Sequence, residues 1–324
     1  MANFPIAKYK EDKLVELYYM TIGILLVTNE NHTSINIHNE IVSYILKRSS
    51  SEPFHDLILD SNKFLDKEIS IVEILLNSNN NKLNKSSSLW YLYKRLFILK
   101  YKASQEDHGY ISNFIKVVLK SCELHPTNYY AWNFMRWLYK FLKFYNIKIK
   151  LDLINIIEGF CFKNNNDFAS WSCYIDILTF QWDDLEFFKF EIQKFGLILP
   201  SNKPQESNHI DLLQRKLEKL INWINQNEII SNVSYESLRK IFKILESSNI
   251  SIHLNELNFQ IEGFNEYLSQ RGIKFSLKNG WYELNENLDN DLILSQKIKR
   301  HINWIRLLNW INTNTKQQTK TNKH

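Results

Sequence analysis

The sequence predicts an all-α chain, a right-handed alpha-alpha superhelix (solenoid) of helical hairpin repeats, and three observations predict it. Turn-formers are scarce: 7 Gly and 5 Pro in 324 residues, about 4% against roughly 12% in average usage. Sandwiches, barrels and doubly wound sheets need more tight turns than that. Apolar residues recur at helical spacing in segment after segment. Tryptophan-centred segments return at the period of a two-helix unit.

The tryptophan segments set the frame. SSSLWYLYKRLFIL surrounds Trp90, NYYAWNFMRWLYKF surrounds Trp132 and DFASWSCYIDILTF surrounds Trp171, with spacings of 42 and 39 residues. Four residues before each indole stands a helix-capping type, Ser86, Asn128 or Asp167. Such a side chain accepts a hydrogen bond from a free backbone N–H, so each Trp falls in a first helical turn. The stripes continue as Trp90, Tyr93, Phe97; Trp132, Met135, Tyr139, Leu142; and Trp171, Tyr174/Ile175, Leu178. Between the first two lies Ile111, Phe114/Ile115, Val118, Cys122, a further amphipathic stripe.

Downstream, the same period appears at Leu212/Leu213, Leu217, Leu220/Ile221, Ile224; at Tyr235, Leu238, Phe242, Leu245; at Leu254, Leu257, Ile261, Phe264, Leu268; and at Ile298, Ile302, Ile305, Leu308. Asn77 to Ser88, NSNNNKLNKSSS, reads as a polar loop. Gly196, Pro200 and Pro204 are the strongest punctuation. They divide the chain into helical repeats over 1–195, a less regular helical region with a cap over 196–312, and a polar basic tail over 313–324 expected to be disordered. Within 299–311, Trp304 and Trp310 are expected to pack inward on a helix that closes the superhelix.

Composition bounds the function. With 44% hydrophobic and 14% aromatic residues, a chain of this size buries roughly three quarters of its unfolded surface. The charge of +5 comes from 40 basic and 35 acidic residues, and Lys316, Lys320 and Lys323 in the tail leave a body near neutrality, which argues against a nucleic-acid partner. Three cysteines without CxxC spacing point to a reducing, cytoplasmic setting. The start, MANFPIAKYKEDK, is charged too early for a secretory leader, and no apolar run approaches the roughly 20 residues that span a bilayer, so no stable membrane insertion is expected. Nine scattered histidines contain no HExxH, and the glycines form no nucleotide-binding loop. No catalytic residue, cofactor or metal is therefore expected on this chain. Asp183-Asp184-Leu185-Glu186-Phe187 approaches the DDxxD pattern that holds magnesium, but Phe187 stands at its fifth position, leaving a solvated or helix-initiating acidic pair. Asp289 and Asp291 read as loop or N-cap residues.

The segment Asn128-Tyr129-Tyr130-Ala131-Trp132, followed by Arg136-Trp137-Leu138 and entered through Cys122-Glu123-Leu124-His125-Pro126, resembles the repeat of protein prenyltransferase alpha subunits. With Ile24 to Asn29, Thr33 to Asn36 and Ser87 to Trp90, the layout is most similar to the divergent alpha subunit of type III protein geranylgeranyltransferase. The resemblance implies an alpha-like scaffold and substrate-selecting subunit beside a Rab-type beta subunit, on which zinc is expected. It implies transfer of a geranylgeranyl group to a C-terminal cysteine of a protein substrate, with an already prenylated SNARE among the candidates. The enzyme would be the heterodimer and not the isolated chain.

Departures from the pattern are plain. The arginine three residues after the family Trp is Tyr93, Met135 or Tyr174 here, and the next is Lys94, Arg136 or Ile175. Ile35 stands where the first repeat has its Trp, and Thr127 stands where a lysine that reaches the prenyl diphosphate would precede the Asn-Tyr pair. Trp90, Trp132 and Trp171 read as core anchors. Asn128, Tyr129 and Tyr130 read either as cap and packing or as a rim facing the beta subunit and diphosphate, and Lys94 and Arg136 as contacts within their own repeats. A second functional reading stays open: a non-catalytic helical-repeat adaptor for protein-protein interaction.

Overall fold

A computed structural model of the chain describes residues 6–28, 30–49, 60–104, 108–180, 186–199, 209–247, 265–266, 269–270, 275–278, 281–284 and 292–321. Its long elements are helices, as the composition and periodicity predict, and they form two compact units. The first comprises residues 1–160 and 181–204, the second residues 161–180 and 205–324. This division differs from the boundary at 195/196 read from composition: nothing in the sequence marks the return of 181–204 to the first unit.

The first unit opens with a 3-10 turn, Ile6–Lys8, then α1 (Glu11–Val27), α2 (His32–Ser49), α3 (Ser61–Leu76), the single turn α4 (Asn81–Asn84), α5 (Ser87–Ala103), α6 (Ile111–Leu124), α7 (Tyr129–Phe144) and the first part of α8 (Leu153–Lys163). Helix α1 packs on α2, α3 on α5, α5 on α7 and α6 on α7. The stripe expected on α6 is buried in full, from Ile111 to Cys122. Rings from α5, α6 and α7 form one continuous seam. Phe97 meets Phe114, Trp137 and Phe141 edge-to-face at 5.1, 5.6 and 5.2 Å, and Tyr93 stacks on Phe114 at 4.6 Å. Such geometries match the quadrupoles of aromatic rings.

The three expected caps are present. Leu89 N–H donates to Ser86 Oγ at 3.1 Å, Ala131 N–H to Asn128 Oδ1 at 3.2 Å, and the N–H groups of Ala169 and Ser170 to Asp167 Oδ1 at 2.9 and 3.1 Å. The indoles that follow, Trp90, Trp132 and Trp171, are all buried. Only Trp90, of these three, has a partner for its indole N–H, Asn84 O at 2.8 Å.

That contact corrects the reading of Asn77 to Ser88 as a plain loop. Asn80 caps α4, and the buried Asn84 side chain donates to Leu76 O at 2.6 Å and accepts from Asn128 Nδ2 at 2.6 Å. Polar residues in a biased run can supply buried hydrogen-bonding hubs as well as solvated loops, and composition does not separate the two.

The second unit holds the end of α8, α9 (Phe168–Leu178), α11 (His209–Gln226), α12 (Asn232–Ser247), the strands β1 (Phe275–Lys278) and β2 (Trp281–Leu284), and α13 (Leu292–Thr321). The helix α10 (Glu186–Lys194) belongs to the first unit. Helix α12 packs against α9, α11 and α13, and the stripes expected on α11 and α12 are buried at Leu213, Leu217, Leu220, Ile224, Tyr235, Leu238, Phe242 and Leu245.

Three features depart from expectation. The antiparallel ribbon pairs Phe275 with Leu284 and Lys278 with Trp281; the Asn279-Gly280 dipeptide between its strands is a strong hairpin signal that helical periodicity overshadowed. The buried face of α13 is Ile298, His301, Trp304, Leu307 and Leu308, whereas Ile302 and Ile305 are half-buried. Trp304 sets that face by meeting Tyr235 edge-to-face at 4.9 Å. Trp310 is half-buried beneath the Arg239 guanidinium. The backbone of 313–321 is helical, continuing α13 into the expected tail; its Lys and Gln residues are good helix formers. The stripe from Leu254 to Leu268 lies outside the described residues.

Candidate functional site

Helix α5 carries two faces. One is the aromatic stripe Trp90, Tyr93, Phe97 of the core. On the other, Tyr91, Arg95, Ile98 and Lys102 fall at offsets of 0, 4, 7 and 11, a single helical face. This face meets α10, which is nine residues long and held by two buried apolar anchors, Phe188 and Ile192. Phe188 packs on the rings of Trp137 and Phe144 at 6.4 and 5.5 Å.

Polar contacts fix the two helices further. Lys94 pairs with Glu191, and Lys102 Nζ donates to Phe195 O at 2.7 Å. Gly196 terminates α10 with φ +64, where Gly196 N–H reaches Gln193 O at 2.9 Å. Glycine, which carries no Cβ, adopts that left-handed conformation without strain.

Between α5 and α10 lies a groove of about 470 Å³, within the size range of ligand sites. Ile98, Leu99 and Phe195 give it apolar lining, and Tyr91 and Phe190 flank it at 46% and 54% exposure. Arg95, Lys102 and Lys194 bring three positive charges. None of the three has a carboxylate partner among the described residues, because Glu191 is committed to Lys94. Lys194 Nζ instead sits 4.3 Å over the Phe190 ring, a cation–π contact that holds the ammonium at the rim. Lys94 is half-buried, 4.8 Å over the Trp137 ring. Burial pushes its pKa below the ordinary lysine value, and Glu191 opposes that shift.

Two other polar clusters are sealed. Glu68 accepts from Tyr18 OH at 2.6 Å and lies 2.7 Å from His38 Nε2, while Thr21 Oγ1 lies 2.8 Å from His38 Nδ1. All four residues are buried, and burial together with the Glu68 charge drives the Tyr18 pKa far up. The second cluster joins Asn84, Asn128, Ser121 and Trp90. Both lack access for a substrate and bind helices to one another.

The residues singled out from sequence thus separate. Asn128 is 0% exposed and caps α7 from inside the core, so its side chain lies on no open rim. Tyr129 and Tyr130 are exposed, at 59% and 41%, and pack edge-to-face at 6.1 Å. Arg136 donates to Asn133 Oδ1 at 2.7 Å and lies 5.9 Å over the Tyr129 ring. Lys94 adjoins the groove through Glu191, but Asn128, Tyr129, Tyr130 and Arg136 do not line it. The acidic pair Asp183 and Asp184 lies outside the described residues, as do Asp289 and Asp291. Among the described residues no group of three or more His, Cys, Asp or Glu is placed to hold a metal, and no helix is long and apolar enough to cross a membrane.

Residues 2–77 match the ECM9 N-terminal domain, and residues 89–199 match the ECM9 middle domain. The chain resembles ECM9 proteins. It is 29% identical to Protein ECM9 of Saccharomyces cerevisiae over 311 residues, which cover 94% of this chain and 78% of the relative. The ECM9 middle-domain match holds Trp90, Trp132, Trp171 and both helices of the groove. It corrects the prenyltransferase alpha-repeat resemblance, and with it the expected geranylgeranyltransferase role, the Rab-type beta subunit and the cysteine-ended protein substrate. The structure supplies a physical reason. Tyr93, Met135 and Tyr174, which replace the family's arginine, are fully buried core residues, so the shared indoles reflect helix packing rather than a charged inner surface.

Proposed function

We propose that this chain is a non-catalytic helical-repeat adaptor that holds a segment of another protein in the groove between α5 and α10. The observation that carries the reading is the groove itself, a preformed trough of mixed apolar and charged lining whose three cations have no carboxylate partner among the described residues. Within the first unit, the capped, indole-anchored helices α5 and α7 support a helical-repeat scaffold as the platform for such binding. We place the protein in the cytoplasm, where its three buried thiols would stay reduced.

Photo-crosslinking tests the reading. A benzophenone amino acid at Tyr91, on the groove wall, is expected to capture a discrete protein in cells of the source organism. The same group at the exposed Ile74 of α3 serves as the control, and Arg95→Glu should abolish the Tyr91 product. Equal capture at both positions, or capture indifferent to Arg95→Glu, defeats it.

A further inference from the structure

We infer that the α5/α10 groove takes an acidic peptide segment, two or three carboxylates flanking a bulky aliphatic or aromatic side chain; this rests on the adaptor reading and names its partner. The inference begins with charge. Arg95 is half-buried on α5 and, like Lys102 and Lys194, has no carboxylate partner among the described residues. A guanidinium presents a planar fork that grips a carboxylate through two parallel bonds, and partial desolvation strengthens that pairing. Lys102 is held by Phe195 O and Lys194 by the Phe190 ring, so both ammoniums are positioned before a ligand arrives, which lowers the entropy lost on binding.

The cations alone would suit any polyanion. The rest of the lining narrows the choice. Ile98, Leu99 and Phe195 give the trough an apolar floor that a phosphate backbone would leave unfilled, whereas the side chain of Leu or Phe removes it from water. The charges cluster within one short groove instead of tracking a long path, as a groove for single-stranded nucleic acid does. Glu191 itself lines the trough while paired to Lys94; its charge disfavours dense phosphate but tolerates carboxylates spaced to reach Arg95, Lys102 and Lys194. Peptide recognition therefore fits both halves of the surface.

The experiment uses the full chain and a fluorescein-labelled peptide of about 12 residues in which Glu and Asp alternate with Leu and Phe. Fluorescence polarisation at about 150 mM salt should report saturable binding. An isosteric peptide with Gln and Asn in place of the acids should bind about tenfold more weakly or worse. Arg95→Glu and Lys194→Glu should each produce a similar loss, Arg95→Lys a smaller one, and Phe190→Ala a loss seen for both peptides. Circular dichroism melts establish that each variant is folded, and because Arg95 and Lys194 make no ion pair among the described residues their replacement should leave the melt unchanged.

Equal affinity for the acidic and neutral peptides overturns the inference. So does binding unaffected by Arg95→Glu and Lys194→Glu, or an oligouridylate or anionic vesicle that binds the same groove more tightly in an Arg95-dependent way. If the acidic peptide fails while crosslinking at Tyr91 still captures a protein, only the ligand class is wrong. If both fail, the adaptor reading falls with it.

Discussion

The first unit buries two regions of opposite chemistry. In one, α1, α2 and α3 meet through Tyr18, Thr21, His38 and Glu68; in the other, α5, α6 and α7 meet through Tyr93, Phe97, Phe114, Trp137 and Phe141. Both are buried. Their difference teaches where specificity comes from. The polar cluster tolerates one arrangement, since moving any helix strands a carboxylate or a ring nitrogen, whereas the aromatic seam gains its energy from area and shape. A defect in the first should therefore be more severe per atom removed.

The largest expected effect follows. Glu68→Ala removes the acceptor shared by Tyr18 and His38 and should destabilise the protein by about 4 kcal/mol, read as a shift in the urea midpoint. Replacing Tyr18, His38 and Glu68 together by apolar residues of matched volume should cost much less, because no polar group is then left unpaired. If the triple variant is as unstable as Glu68→Ala, hydrogen bonding is not what distinguishes this region. Phe97→Ala, the matching cut in the aromatic seam, should cost about 3 kcal/mol through lost burial and a cavity. Phe97→Leu should recover most of that loss, a rescue the polar cluster would not allow.

An intermediate effect is expected where the two chemistries join. Asn128 caps α7 through Oδ1 while its Nδ2 donates to Asn84 Oδ1 at 2.6 Å and Ser121 Oγ at 3.0 Å. Asn128→Ala should cost about 2 kcal/mol by combining a lost cap with buried polar groups left unpaired. Asn128→Asp keeps the cap acceptor but sets a buried carboxylate against the two Asn84 oxygens that Nδ2 now donates to, and should cost at least as much as Asn128→Ala. Equal stability of wild type and Asn128→Ala in thermal melts would remove the cluster from any account of the fold.

How much of this was legible in the sequence depends on what kind of force holds each part. The helices of the seam were legible because apolar periodicity and the capping residues Ser86, Asn128 and Asp167 are local signals. The polar cluster was not, since Tyr18, His38 and Glu68 come from three helices and each alone reads as an ordinary surface residue. The groove was half visible. Tyr91, Arg95 and Lys102 share a face on α5, but such a face normally reads as solvated, and α10 arrives from about 90 residues downstream. The indoles misled in the other direction, because a motif shared for packing looks the same in sequence as one shared for chemistry.

The second unit extends the contrast to pH. His301 on α13 is buried against Asn265, with Nε2 2.8 Å from its Oδ1, and burial, reinforced by the neighbouring Arg300 charge, lowers its pKa to about 4. The unfolded chain takes up this proton near pH 6.5 and the folded one only near pH 4. Stability from the neutral ring is thus complete above pH 6.5 and is lost as pH falls toward 4. After allowance for solvent screening, about 1–2 kcal/mol should disappear by pH 4.5. His301→Gln should flatten that part of the pH–stability curve, and an unchanged slope in the variant assigns the acid sensitivity elsewhere.

The smallest expected effect is a gain. Thr127, between α6 and α7, has φ +58, and its hydroxyl donates to Pro126 O at 2.6 Å. A β-branched residue in the left-handed region is strained by roughly 1–2 kcal/mol. Glycine relieves that strain but adds freedom to the unfolded chain, so Thr127→Gly should raise stability by no more than about 1 kcal/mol. Thr127→Asn, which tolerates the conformation and keeps a polar side chain, should gain a few tenths of a kcal/mol. Because Asn128 follows directly, the gain must appear with the α7 cap intact. In the Asn128→Ala background, the same Thr127→Gly substitution should help less, since the turn is then no longer held to one conformation, and a double-mutant cycle reads that coupling directly. Additive effects would show that the turn and the cap are set independently.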